Sequence, residues 1–264
     1  MKLKFLKIKI DIVSPYDYMS LLFDIDFEVI ELTNSLLSID WDYFISTKNQ
    51  NIVSFVENKR TILDDWYKRY LQAKSKGINL QKLYQLSEET KTFWSKIKKV
   101  FHYDGDTPVF VSDSHALSYD LVKMYQCDEV FLFDAHSDLG YGGLSSLKFD
   151  VNCANWLGKL LHEDVIEQAN IVYSPYTLEK PSFFKEINRL YNVNYLKFND
   201  IQGKIKIRAI HICRSGAWSP PWFDSTFIEF INSLGLRYEI KDCPARNWNP
   251  NNISFSEQLT YLMA

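Results

Sequence analysis

A chain of 264 residues has room for one α/β domain or two small ones. At 46% hydrophobic and 24% charged residues it can bury a sizeable core, which excludes a disordered chain. A net charge of -3 offers no polycationic surface to nucleic acid and no basic patch to a membrane. Only 9 glycines, with neither GxGxxG nor a P-loop among them, argue against a glycine-rich phosphate cradle.

The N-terminal run Lys2 to Lys9 alternates lysine with apolar residues, so it predicts a half-exposed strand rather than a secretory signal. Asp26 to Glu31 predicts a second extended segment. After an Asn34-Ser35 turn, Leu36 to Asp40 predicts a third. Composition and period predict helix from about 58 to 100, broken near Gly77 and restarted by a cap at Asn79. That segment is an insertion or an N-terminal layer of a single domain spanning 1–264.

Beyond Pro108 short apolar runs alternate with amphipathic stretches. Strands are predicted at Val109–Val111, Glu129–Phe133, Asn170–Tyr173 and Ile207–Cys213. Helices are predicted at His115–Gln126, Asn155–His162, Ser182–Leu190, Phe223–Leu234 and the last ten residues. Such alternation implies a mostly parallel sheet with helices on both faces, and chemistry beyond the carboxyl ends of its strands. Four widely spaced cysteines, Cys127, Cys153, Cys213 and Cys243, predict reduced core thiols and a cytoplasmic protein. No apolar run approaches the roughly 18–20 residues of a membrane span.

Three strand ends carry the acids and histidines. Val130–Phe133 runs into Asp134-Ala135-His136-Ser137-Asp138, whose ligand-type side chains at i, i+2 and i+4 share one side if the segment stays extended. A turn with helix-capping aspartates would explain one Asp there, but neither the histidine nor the second acid. Val109–Val111 ends in Ser112-Asp113-Ser114-His115. Leu36–Ile39 ends in Asp40-Trp41-Asp42. Alone, His115 at a helix start is more often a surface or capping residue, Asp40-Trp41-Asp42 reads equally well as an exposed strand end, and Asp24-Ile25-Asp26, with the latter's spacing, reads as a surface turn.

The combination is what informs. Four carboxylates packed without a cation would repel, and several would stay protonated. Two divalent cations balance their charge. Oxygen-rich donors with histidine and no thiolate favour Mn2+, with Zn2+ and Fe2+ competing. A metal pair roughly 3.5–4 Å apart deprotonates a shared water at neutral pH, which points to hydrolysis.

These three segments resemble the metal-binding motifs of the arginase–deacetylase superfamily, specifically the dimanganese ureohydrolases. The resemblance implies an arginase-like three-layer α/β/α fold. It implies that His115, Asp134, Asp138 and Asp40 bind one Mn2+ and Asp134, His136, Asp40 and Asp42 the other, with Asp138 also holding the attacking hydroxide. Three departures stand out. The Ser38-Ile39-Asp40-Trp41-Asp42 strand comes first in the chain rather than last, so it must enter the sheet by a rearranged topology. Asn152-Cys153-Ala154-Asn155 stands where arginases carry a proton-relay histidine. Leu139-Gly140-Tyr141-Gly142-Gly143 replaces the asparagine that reads a free amino acid's head group.

A site without that head-group contact suits an arginine within a peptide. The chain is accordingly similar to the peptide arginases of ribosomal-peptide biosynthesis, which convert peptidyl arginine to ornithine and urea. Tyr141, Trp156, Trp218 and Trp222 would suit a peptide groove, although core packing is the commoner reason for each tryptophan. Asp224 and Glu229 are the candidates to clamp the guanidinium. His162 and His211 are available as relays but are not assigned that role. Two other readings stay open: a single-zinc deacetylase-like amidohydrolase acting on an acylated amine, and a non-catalytic metal- or peptide-binding module.

Overall fold

The computed structural model describes residues 34–48, 57 and 60–263. The predicted strands at Lys2–Lys9 and Asp26–Glu31, and the Asp24-Ile25-Asp26 turn, lie outside them. Among the described residues ten strands run in chain order: β1 Ser35–Asp40, β2 Ile45–Thr47, β3 Tyr84–Leu86, β4 Phe101–His102, β5 Val109–Ser112, β6 Glu129–Asp134, β7 Gln168–Tyr173, β8 Val193–Tyr195, β9 Ile205–Cys213 and β10 Glu239–Asp242. The helices are α1 Ile62–Ser75, α2 Phe93–Val100, α3 Leu117–Tyr125, α4 Trp156–His162, α5 Lys185–Leu190, α6 Asp224–Ser233 and α7 Phe255–Met263.

The main sheet has the order β10-β5-β9-β1-β6-β7-β8, with β4 pairing the start of β9. Every pairing within it is parallel. Parallel strands are buried on both faces, and β1 and β6 are buried throughout. Their side chains alternate between two cores. Leu37, Ile39, Phe131, Phe133, Ile210 and Ile212 pack on one face with Trp66 of α1, Phe93, Trp94 and Ile97 of α2 and Phe227 of α6. Leu36, Val130, Leu132 and Ala209 pack on the other with α3, α4 and Ile187 of α5. The result is an α/β architecture of helices on both faces of a mostly parallel sheet.

The segment from 58 to 100 departs from the helical expectation. Among its described residues it forms α1, a short 3-10 turn at Leu80–Leu83 capped by Asn79, strand β3, and then α2. Strand β3 pairs antiparallel with β2, so tertiary pairing overrides the local helical period. Residues 182–190 likewise begin as a 3-10 turn at Pro181–Phe184 before α5. The short strands β8 and β10 sit at the two edges of the sheet and were too brief to show a period. No described helix is long and apolar enough to cross a membrane.

The strand that comes first lies in the middle. β1 is hydrogen-bonded to β6 on one side and β9 on the other, with Ile39 beside Phe133 and Asp40 beside Cys213. The carboxyl ends of β1, β5, β6 and β9 therefore converge on one sheet edge. Helix α4 docks there: Asp138 carbonyl oxygen accepts from the amides of Leu157 and Gly158, both at 3.2 Å. The approach needs a glycine, because a Cβ on Gly158 would lie 2.2 Å from the carbonyl oxygen of Leu139. Gly158→Ala is expected to destabilise the fold by roughly 1–3 kcal/mol as α4 is pushed away. Urea unfolding checks this, and an unchanged midpoint would show that α4 is free to shift.

Candidate metal centre

Strand β6 ends at Asp134, and the chain then bends instead of continuing extended. Ala135 and His136 turn, and Asp138 adopts a left-handed φ of 52°. The Asp-x-His-x-Asp side chains thus meet because the loop curls, not because the pleat aligns them. Asp134 Oδ1 accepts from the amide of His136 at 2.8 Å, closing that curl. The end of β1 behaves alike. After Asp40 the backbone enters a 3-10 turn, and Asp40 Oδ1 caps it by accepting from the amide of Asp42 at 3.0 Å. Asp42 Oδ1 in turn accepts from the amide of Ala135 at 3.2 Å, joining the two strand ends.

All six predicted ligands come together. His115 Nδ1 stands 3.2 Å from Asp40 Oδ2, 3.0 Å from Asp134 Oδ2 and 3.0 Å from Asp138 Oδ2. His136 Nδ1 stands 3.0 Å from Asp42 Oδ2 and 3.5 Å from Asp134 Oδ1. Asp134 faces both histidines with different oxygens. His115 and Asp134 are each only 1% exposed, whereas the His136 side chain is 35% exposed, so the site opens at His136.

Among the buried atoms left without any hydrogen bond are His115 Nδ1 and Asp134 Oδ2. Unpaired buried polar atoms are costly, and a ligand to a cation is one that needs no hydrogen-bond partner. Three carboxylate oxygens converging on one imidazole nitrogen are donors grouped for a positive ion. The donor set is what divalent cations bind, and the residues fit such ions.

The electrostatics agree. Burial, then the charge of Asp42, pushes the Asp40 carboxyl up to about 6. Burial and the charges of Asp42, Asp40 and Asp138 hold Asp134 well above the carboxylate range. At Asp42 burial opposes ionisation, but the charge and hydrogen bond of His136 prevail and lower it. Burial likewise disfavours charged His115, yet the carboxylates of Asp134, Asp138 and Asp40 gathered around its Nδ1 raise it well above an ordinary histidine.

A second tier holds these ligands. His115 Nε2 meets Ser38 Oγ at 2.7 Å, Ser38 meets Ser118 at 2.8 Å, and Ser118 meets His211 Nδ1 at 2.6 Å. His211 Nε2 meets Ser112 Oγ at 2.8 Å. A hydrogen bond at Nε2 turns the Nδ1 lone pair of His115 toward the carboxylates. Burial and the nearby His115 keep His211 neutral, so it serves behind His115 in this chain. His162 is exposed and bonds Tyr191, far down α4.

Trp156 Nε1 donates to Asp138 Oδ2 at 2.6 Å and orients that carboxylate. Arg214 grips Asp113 through Nε at 2.8 Å and Nη2 at 2.6 Å, and the Gly216 amide joins Asp113 at 3.1 Å. This fixes a turn in which Ser215, at φ 48°, donates its hydroxyl to Asp40 Oδ2. Asn155, in the segment replacing the relay histidine, is buried and spends its side chain on the backbone of Asn152, Ser146 and Asp150.

The acids chosen for the guanidinium stand apart from this cluster. Asp224 is held by Arg246, with Nε at 3.0 Å from Oδ2 and Nη2 on Oδ1, and by Arg214 at 3.3 Å. Its charge is already matched. Glu229 lies exposed on α6. Two other carboxylates border the cluster. Glu57 Oε2 accepts from Ser114 Oγ at 2.6 Å, its Oε1 is buried without a partner, and burial pushes its carboxyl up to about 7. Glu179 accepts from the Ser137 amide at 3.0 Å, from Tyr173 at 3.3 Å and from Tyr141. Neither stands in a motif, so only the folded chain reveals them. Cys213, at the end of β9, had the strand-end position as its signal.

The four aromatics proposed for a groove divide. Trp218 lies against His136, ring centroids 6.1 Å apart, and Tyr141 is exposed beside Glu179. Trp156 is wholly buried, and Trp222 packs in the core against Trp66, Tyr84 and Trp248. All four cysteines are free. No family model, curated protein or solved structure matches the chain.

The shifts set a pH dependence. A carboxyl raised from 3.8 to about 6 in the fold, as at Asp40, takes up a proton on folding, so its contribution to stability falls as pH rises through that window. His115 and His136, raised above 6.5, contribute below that value and lose the contribution as pH rises further. Metal-stripped protein is therefore expected to melt lower at about pH 8 than at about pH 5. Added divalent metal, which needs deprotonated ligands, should raise the melting temperature more at about pH 8. A stripped protein more stable at the higher pH would contradict this charge arrangement.

Proposed function

We propose that the chain is a binuclear metal hydrolase, arginase-like in its site, that converts arginine side chains within a peptide to ornithine with release of urea. The observation that carries the reading is the convergence of Asp40, Asp42, Asp134, Asp138, His115 and His136, with Asp134 facing both histidines. Two divalent cations, Mn2+ by the oxygen-rich donor set, would supply an ionised water as nucleophile at neutral pH. His115, Asp134, Asp138 and Asp40 would hold one, and Asp134, His136, Asp40 and Asp42 the other.

Water adds to the guanidinium carbon, the bond from that carbon to the side-chain nitrogen breaks, and a proton reaches that nitrogen. Asp138, oriented by Trp156, is the carboxylate placed to carry that proton. Glu57 takes the clamping role first assigned to Asp224 or Glu229. Its buried, unpartnered Oε1 is an acceptor lacking a donor, and a guanidinium presents donors in a fixed fork. The mouth at His136, Trp218 and Tyr141 offers aromatic surface to the flanking residues of a peptide. Among the described residues, Leu139 to Gly143 follow Asp138 where an asparagine would read a free α-amino and α-carboxylate.

The test is urea release from an arginine-containing peptide, with ornithine identified by mass, for the loaded protein and for Glu57→Gln. Removing one partner of a buried charge pair costs about 2–5 kcal/mol, so kcat/KM should fall roughly 30- to 5000-fold with the metal content unchanged. Full metal loading without urea from any arginyl peptide would overturn the hydrolase reading. Undiminished turnover in Glu57→Gln would remove that residue from the site.

A further inference from the structure

One donor beside the centre belongs to none of the three acid and histidine motifs. Cys213 closes β9, directly alongside Asp40 in the parallel pairing of β9 with β1. Its Sγ, the ligand oxygen of Asp40 and the ligand nitrogen of His115 all lie within 4.8 Å of one another, and all three residues are buried. His115 Nδ1, 1% exposed and without a hydrogen bond, points into the same space. The sulfur has one neighbour of its own, Ser215 Oγ at 3.4 Å. Because that hydroxyl donates to Asp40, the thiol is the donor at Ser215, and its proton is the one a metal would displace.

We infer that Cys213 is a thiolate ligand of the metal position built on Asp40 and His115, which makes that position selective for Zn2+, Fe2+ or Co2+ over Mn2+. The inference rests on the binuclear reading of the site and refines it. Soft thiolate ligands draw the later first-row metals, whereas carboxylate and water suit Mn2+. The other position, where the described residues that group are Asp42, Asp134 and His136, keeps the harder donor set. The centre is thus chemically asymmetric. On binding, the Cys213 S–H bond is replaced by a sulfur–metal bond and the proton passes to solvent.

Cobalt(II) is the probe, because a thiolate on Co2+ gives a near-ultraviolet charge-transfer band that carboxylate and imidazole ligands do not. Stripped full-length protein titrated with Co2+ should develop that band. It should be absent in Cys213→Ser and retained in Cys153→Ser, the half-buried cysteine near Glu57. Competition between Zn2+ and Mn2+ should show the preference for zinc falling roughly ten- to hundredfold in Cys213→Ser. If Cys213→Ser does not fold, X-ray absorption on the unaltered zinc protein decides, with a sulfur neighbour expected at about 2.3 Å. Cobalt bound without the band, or zinc without a sulfur neighbour, overturns the assignment of Cys213 and leaves the binuclear centre intact. Failure to bind any metal overturns the binuclear reading itself, and this inference with it.

Discussion

Four aspartates meet at one buried sheet edge, and their mutual repulsion is the constraint that the surrounding structure answers. Asp40, Asp42, Asp134 and Asp138 are each nearly inaccessible. Ionised carboxylates at that spacing, removed from water, are tolerable only with positive charge between them. The fold supplies some of it through His115 and His136, and some through donors: the amides of Asp42, Ala135 and His136, the indole of Trp156 and the hydroxyl of Ser215. These donors do not reach Asp134 Oδ2 or His115 Nδ1. The remaining deficit is the argument for divalent cations.

The sheet makes this concentration of charge possible. Parallel strands bring their carboxyl ends to one edge, and β1, entering the middle of the sheet, places Asp40 between the ends of β6 and β9. Each ligand is then locked from behind. Ser38 and His211 of the sheet, joined through Ser118 of α3, hold His115 from behind, and the buried Asp113–Arg214 pair fixes the turn that carries Ser215. A buried pair of that kind contributes more to shape than to stability, and here the shape is that of a ligand's support. Left-handed backbone at Asp138 and Ser215 marks where the chain gives up local comfort to aim these groups.

Much of this was legible in the sequence. The apolar run at Glu129–Phe133 read as a strand buried on both faces and Ile207–Cys213 as another strand, and polar residues at three strand ends pointed to the cluster. Two things were not legible. Local period cannot see a partner strand, so Tyr84–Leu86, which pairs with Ile45–Thr47, read as helix. Nor does a lone acid announce its neighbours: Asp224 looked free until Arg246 and Arg214 closed on it, while Glu57 looked ordinary until it was buried beside Ser114. The acids and histidines fall in short motifs because the loops at three neighbouring strand ends carry them. The residues that would meet a substrate arrive from separate loops, where nothing imposes it.

The most direct test of a binuclear centre is the total divalent metal retained per chain after loading and dialysis, in the unaltered protein and in Asp134→Asn. Asp134 faces both histidines, so two equivalents in the former and loss from both positions in the latter are expected. Retention of no metal, or the same metal content in both proteins, would contradict a centre built across that aspartate.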